Sequence, residues 1–195
     1  MGTTTDEFPL ILQLDVAGQP QRWINYEKSA YYYAKDRIAW SMGAIDVTLH
    51  GGISRMTGQQ STLTLNTIIA VKKMNTKAKN IRTVPALTNR ALFRRDQQMC
   101  AYCGVEHPTS KLTRDHVIPT SKGGPNNWTN VVACCSACNR KKDDKLPEQT
   151  GMELLYVPYA PNNAEFLILM NRTILADQMN FLIKQVSKDS RLLNS

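Results

Sequence analysis

Cys100-Ala-Tyr-Cys103-Gly, Leu112-Thr-Arg-Asp115-His116-Val-Ile-Pro119, Trp128-Thr-Asn130-Val-Val-Ala133 and Cys135-Ser-Ala-Cys138-Asn139-Arg-Lys-Lys142 follow one another in a single stretch, and their reading decides the fold. Two Cys-x-x-Cys knuckles frame it. Each knuckle lets two thiolates reach one tetrahedral ion, and two knuckles complete a closed four-cysteine site of the structural zinc type. The alternative is a thiol redox pair, a use that suits a lone Cys-x-x-Cys better than two facing ones. The fifth cysteine, Cys134, competes with Cys135 as a ligand. Cys135 is preferred because it repeats the spacing of the first knuckle. His107, in the turn after the first knuckle, is a lesser candidate for the same ion.

The knuckles are far apart for a simple zinc ribbon, so a substantial element folds between them. Lys111 to Pro119 alternates and holds β-branched residues, which predicts a strand. Pro119 to Asn127, with Gly123-Gly124-Pro125, is turn chemistry. Val131 to Ala133 is a short return strand. Ser136 to Lys145 has no Gly or Pro and precedes Leu146-Pro147, so a helix capped by Ser136 is expected there. Strand, loop, strand and helix are thus held at their ends by one ion.

The run from Cys100 to Lys142 resembles the HNH endonuclease family in its four-cysteine, zinc-containing form. The residues that carry the likeness are Cys-Ala-Tyr-Cys-Gly, Leu-Thr-Arg-Asp-His-Val-Ile-Pro-Thr-Ser-Lys-Gly-Gly, Trp-Thr-Asn-Val-Val-Ala-Cys and Cys-Ser-Ala-Cys-Asn-Arg-Lys-Lys. His116, Asn130 and Asn139 fall on the three motif positions. The resemblance implies a ββα-metal fold and phosphodiester cleavage with one divalent cation, leaving 5′-phosphate and 3′-hydroxyl ends. His116 is the expected general base, since an imidazole titrates near neutral pH and can take a proton from water. Asp115 and Asn139 offer hard oxygens that suit Mg2+ or Mn2+. By resemblance Asn130 binds no metal and steadies the His116 backbone across the loop. One difficulty is visible: neighbours on a strand project to opposite faces, so Asp115 and His116 need a bulge or a strand end. Singly, each of these residues has a plainer reading as a turn, surface or helix residue. Their order between two knuckles is what makes them a set.

Charge agrees with such a partner. The 195 residues hold 24 Lys+Arg and 16 Asp+Glu, a formal +8. The excess lies in the middle of the chain: residues 72–95 carry eight basic and no acidic side chains, while 1–71 and 146–195 each sum to −1. A cationic middle suits a polyanion, and nucleic acid is the commonest; a solvated face that keeps the protein soluble is the plain alternative. Expected phosphate contacts are Lys142 first, then Arg94, Arg95, Arg140, Lys141 and Lys145. Lys72, Lys73, Lys77, Lys79 and Arg82 are read as an arm along a duplex. Trp128 is read as packing rather than base stacking.

The fold class expected is α+β, with four segments: a small N-terminal α+β module over 1–71, a basic lead-in over 72–95, the zinc-stapled nuclease core over 96–150, and a linker with a docking helix over 151–195. In the first, residues 9–16, 38–40 and 62–71 read as strands, 51–60 as a loop, and Asn25 caps a helix to about Lys35 that carries Tyr31, Tyr32 and Tyr33. In the last, apolar spacing from Ile174 to Val186 predicts one helix over 171–187. No run approaches the roughly 20 apolar residues of a membrane helix. Asp6 and Glu7 stand where an export signal carries Lys or Arg, which points to the cytoplasm. The expected protein is a DNA endonuclease with structural Zn2+ and catalytic Mg2+ or Mn2+, monomeric or homodimeric, with RNA not excluded as substrate. A non-catalytic zinc module that binds nucleic acid is the alternative.

Overall fold

The computed structural model describes residues 9–72 and 84–193, with the side chains of 44–46 left aside. Most of the expected basic arm, Lys73, Lys77, Lys79 and Arg82, lies outside the described residues. The chain divides into two compact units. One takes the described residues of Met1–Ile81 with Asn171–Gln185; the other takes those of Arg82–Met170 with Val186–Ser195.

The first unit is a four-stranded sheet with two helices. β1 (Ile11–Leu14), β2 (Pro20–Ile24), β3 (Ile38–Ile53) and β4 (Gln60–Val71) are ordered β2-β1-β4-β3. β1 runs antiparallel to β2 and parallel to β4, with Leu12 opposite Ile68. β4 is central. Its last five residues, Thr67-Ile-Ile-Ala-Val71, are all buried, the continuous run expected of a strand covered on both faces. β3 extends well beyond its predicted strand and β4 by two residues, so Ile53 pairs with Gln60 where a loop is expected, and only residues 54–59 turn. α1 (Tyr26–Ala34) starts where predicted: the Asn25 side chain accepts from Lys28 N at 2.9 Å. Tyr32 is buried among Ile11, Ile24, Leu65, Ile69 and Val71, whereas Tyr31 faces solvent, so the tyrosine triplet is one core residue with rims.

The second unit carries the knuckles. α2 (Asn89–Arg95), capped by Thr88, precedes the first knuckle and has no counterpart in the sequence reading. β5 (Leu112–His116) and β6 (Val131–Cys135) form an antiparallel hairpin, Leu112 opposite Cys135 and His116 opposite Val131. α3 (Ser136–Lys142) follows without a linker. Its cap is Cys135 rather than Ser136: the Cys135 sulfur accepts from Cys138 N at 3.4 Å. The helix stops at Lys142, short of Lys145, where Asp143 leaves helical geometry with φ 51° and ψ −136°. An apolar cluster of Ala91, Leu92, Phe93, Leu112, Trp128, Val131 and Ala133 holds α2 against the hairpin. Trp128 is packing, as expected, and its indole donates to Pro85 O at 2.8 Å.

The C-terminal stretch differs from the single helix predicted over 171–187. α4 (Asn163–Met170) packs against α2 in the second unit. α5 (Ala176–Ile183) belongs to the first unit, where buried Gln178 donates to Leu10 O and Thr67 O. The segment between, 171–175, is not helical.

Candidate active site and metal centre

The two knuckles converge. The sulfurs of Cys100, Cys103, Cys135 and Cys138 all lie within 4.8 Å of one another. A tetrahedral zinc with bonds of about 2.3 Å needs sulfurs about 3.8 Å apart, so the donor set fits that ion. Cys134 stays out of the group. It is buried, and its thiol donates to Cys135 O. His107 also lies outside it. The knuckle is tied to the hairpin by Ala101 N donating to Ala133 O at 2.9 Å, and Gly104, φ 72°, makes the left-handed turn that closes it. Burial pushes the Cys100 thiol up, but backbone N–H groups of Cys135, Cys103 and Tyr102 outweigh it and bring the thiol down to about 7. Burial instead raises the Cys103 and Cys138 thiols above their ordinary values, so those two do not share the thiolate preference of Cys100.

From this staple the hairpin and helix present the candidate residues. β5 ends at His116, but its pairing stays regular to the last residue and there is no bulge. Asp115 and His116 therefore keep the alternation of a strand. Asp115 is buried against α3 and the first knuckle. Its Oδ2 accepts from the Tyr102 hydroxyl at 2.6 Å, and its Oδ1 pairs with Lys142 Nζ at 3.1 Å. Lys142 Nζ also donates to His116 O at 2.8 Å. Thr113, two residues before Asp115, accepts from Asn139 Nδ2 at 2.9 Å, so Asn139 and Lys142, one turn apart on α3, meet Thr113 and Asp115. Among the described residues, nothing donates to the Asn139 amide oxygen. An open recess lined by Thr113, Ser136, Asn139, Arg140 and Asp143 lies beside it.

His116 shares the other face with Arg114. Asn126 Oδ1 lies 3.2 Å from His116 Nε2 and accepts from Arg114 Nη1 at 3.0 Å. An amide oxygen only accepts, so this arrangement puts the proton on Nε2 and leaves the Nδ1 lone pair to act as a base. Asn130, nearly buried, clamps the turn that follows. Its Oδ1 accepts from Ile118 N at 2.9 Å, and its Nδ2 donates to Ile118 O and Pro125 O. It thus grips Val117–Ile118 rather than His116 itself, with its own carbonyl accepting from Val117 N. Gly124 makes this possible: a Cβ there would overlap the Ile118 carbonyl and crowd the Asn130 amide.

Two expected phosphate contacts are corrected. Lys142 is fully buried and spends its ammonium on Asp115 and His116 O. Arg95 is also buried. Its guanidinium forks onto Asp96 and donates to Trp128 O, Tyr159 O and Val131 O. Both side chains belong to the interior because each meets a buried carboxylate. Arg94 is half-buried and donates to Leu169 O at 2.7 Å. Arg140, Lys141 and Lys145 are exposed. The sequence reading missed Tyr102, Thr113 and Asn126. Only their neighbours in the motif mark them; the contacts that matter are tertiary.

A hairpin and helix stapled by four thiols, with an Asp-His pair at the end of its first strand, is the frame of a zinc-containing ββα unit. Residues 100–155 match the HNH endonuclease family, and the four-cysteine group fits a zinc-stapled core of that kind. Such a domain implies a nucleic-acid substrate. No curated protein matches the chain. Among the described residues, no helix is long and apolar enough to cross a membrane.

Proposed function

We propose that the protein is a metal-dependent endonuclease that hydrolyses DNA phosphodiester bonds. The observation that carries this reading is the convergence of Asp115, Asn139, His116 and the Asn130 clamp on one hairpin-helix unit of the matched domain. Asp115 and Asn139 supply a carboxylate and an amide oxygen, the hard donors that Mg2+ or Mn2+ takes. When bound, such a cation draws charge from the phosphate and the leaving oxygen. Asp115 lies in line with this role in chemistry: its two oxygens each have one partner, and an ionised carboxylate accepts about four hydrogen bonds or ligands.

His116, with its proton on Nε2 against Asn126, receives the proton of the attacking water at Nδ1. Attack in line with departure of the 3′-oxygen completes the cleavage. Asp115 and His116 act from opposite faces of β5, so the phosphate is met at the strand end rather than on either face. Arg140, Lys141 and Lys145 hold neighbouring phosphates, which adds salt-dependent affinity without sequence preference.

Nicking of supercoiled plasmid, with Mg2+ or Mn2+ supplied or withheld, tests the reading, and a parallel RNA digest tests the substrate. His116→Ala should keep its fold and four-cysteine metal and cut about 10²–10⁴-fold more slowly. Parental rates from that variant would remove His116 as the base. One observation favours a second reading, a zinc module that binds nucleic acid without cutting: the Lys142 ammonium already neutralises Asp115. Binding without cation-dependent nicking would decide for it.

A further inference from the structure

The partners of Asp115 come from two different elements, and one of them is part of the metal knuckle. Tyr102 sits between Cys100 and Cys103, both in the four-cysteine group. Its hydroxyl donates to Asp115 Oδ2 at 2.6 Å, while Lys142 takes Oδ1. A phenol carries its proton at neutral pH, so against a carboxylate oxygen it is the donor. A phenol has one donor and Asp115 is 5 % exposed, so the carboxylate has no water as a ready substitute. The carboxylate is thereby held at both oxygens, one partner mounted on the knuckle and the other on α3.

We infer that Tyr102 is a positioning residue: through it the four-cysteine knuckle orients the Asp115 carboxylate for the second, catalytic cation. This rests on the endonuclease reading for the cation and on the geometry alone for the link. A knuckle closed by metal is among the most rigid elements a small domain has. A hydroxyl carried on it sets the carboxylate plane more narrowly than a solvent-exposed donor does, and partners of ligating carboxylates set metal affinity. The alternative is that Tyr102 merely fills space beside the knuckle, in which case its ring matters and its hydroxyl does not.

Tyr102→Phe separates the two, since it keeps the ring. With Co2+ in the four-cysteine site, the variant should keep the thiolate-to-cobalt absorption of the wild type, which shows the knuckle intact. Mn2+ binding, followed by the loss of the free-ion electron paramagnetic resonance signal, should weaken by about 10–100-fold. Plasmid nicking should lose kcat at saturating DNA, with KM for DNA little changed. Wild-type Mn2+ affinity and kcat in Tyr102→Phe would overturn the inference. A second measurement does not depend on catalysis. In thermal unfolding of the zinc-loaded protein, Tyr102→Phe should cost stability in the wild type and little in Asp115→Ala, which leaves the hydroxyl no side-chain acceptor at that position; equal costs in both backgrounds would overturn the link. If the wild type itself neither nicks DNA nor binds a second cation, the endonuclease reading falls, and the unfolding cycle still decides whether Tyr102 acts through Asp115.

Discussion

Three buried carboxylates in the second unit meet three different partners. Asp96 lies in the fork of Arg95 and also accepts from Ala133 N at 2.7 Å. Asp115 meets the ammonium of Lys142 and the hydroxyl of Tyr102. Glu165, on α4, accepts from the Tyr159 hydroxyl, and among the described residues it has no ion pair. A guanidinium is planar and carries five donors in a fixed fork, so the Arg95–Asp96 pair can join α2, β6 and the loop at Tyr159 in a permanent strut. An ammonium is a compact point charge on a flexible stem, and it can be shared with or displaced by another cation. The same acid in the same interior is thus a brace in one place and a candidate ligand in the other. What differs is how firmly the cation is held.

Breaking the brace should have the largest effect. Arg95→Met leaves the buried Asp96 charge without its partner and orphans the carbonyls of Trp128, Val131 and Tyr159. We expect a loss of about 3–5 kcal/mol in stability, read by denaturant unfolding with the four-cysteine metal kept in place. Arg95→Lys should rescue little, because one ammonium cannot reproduce the fork. If it restores the wild-type midpoint, the contrast drawn between the two cations is wrong.

Lys142→Met tests the other pair and should cost less, toward the lower end of that range, since Tyr102 still holds Asp115. The sharper outcome concerns cation binding. With the ammonium gone, Mg2+ or Mn2+ should raise the melting temperature of Lys142→Met more than that of the wild type. A cation-independent midpoint would show that the ammonium is not interchangeable with a metal there.

Glu165 gives a smaller effect with a sign. Burial raises its carboxyl above the ordinary value, and the Tyr159 hydroxyl only partly opposes this. The folded state therefore holds the proton more tightly than the unfolded chain. Stability is greatest below the unfolded value and falls as pH rises through the window up to the raised folded one. Glu165→Gln cannot ionise, so its melting temperature should lose less than the wild type's across that window. Parallel pH profiles would remove Glu165 as the source.

The smallest effect on stability belongs to the exposed cations. Single alanine variants of Arg140, Lys141 and Lys145 should leave the midpoint within about 0.5 kcal/mol. Each that contacts phosphate should lower the salt slope of DNA binding by about one. An unchanged slope in all three would move the phosphate grip elsewhere in the chain.

Much of the second unit is legible in residue order. The knuckles give their own ligands, since two thiols with two residues between them can reach one ion without help from the rest of the chain, and Cys135 follows from spacing alone. The hairpin, the Gly-rich turn and the helix after it are local patterns of the same kind. The first unit was less readable. β3 runs past its expected strand through Gly51 and Gly52, because cross-strand pairing, as in Ile53 with Gln60, overrides a turn-like composition. Of the stretch expected as one helix, 171–187, only Ala176–Ile183 is helical, and α4, which ends before that stretch begins, serves the other unit.

By itself, the sequence determined the two thiol pairs, the strand-loop-strand-helix order and the residue types at the Asp115–His116 strand end, each of them a local pattern of a few residues. Tertiary structure alone decided which basic side chains face water. Arg140, Lys141, Lys142 and Lys145 are alike as residues, and so are Arg94 and Arg95. Packing of α3 on β5 sets the helical phase that buries Lys142 against Asp115 and leaves its neighbours exposed. Packing of α2 on the hairpin does the same for Arg95 against Asp96. A charge goes inside only where a partner already waits, and which partner waits is a property of the assembled elements rather than of any one segment.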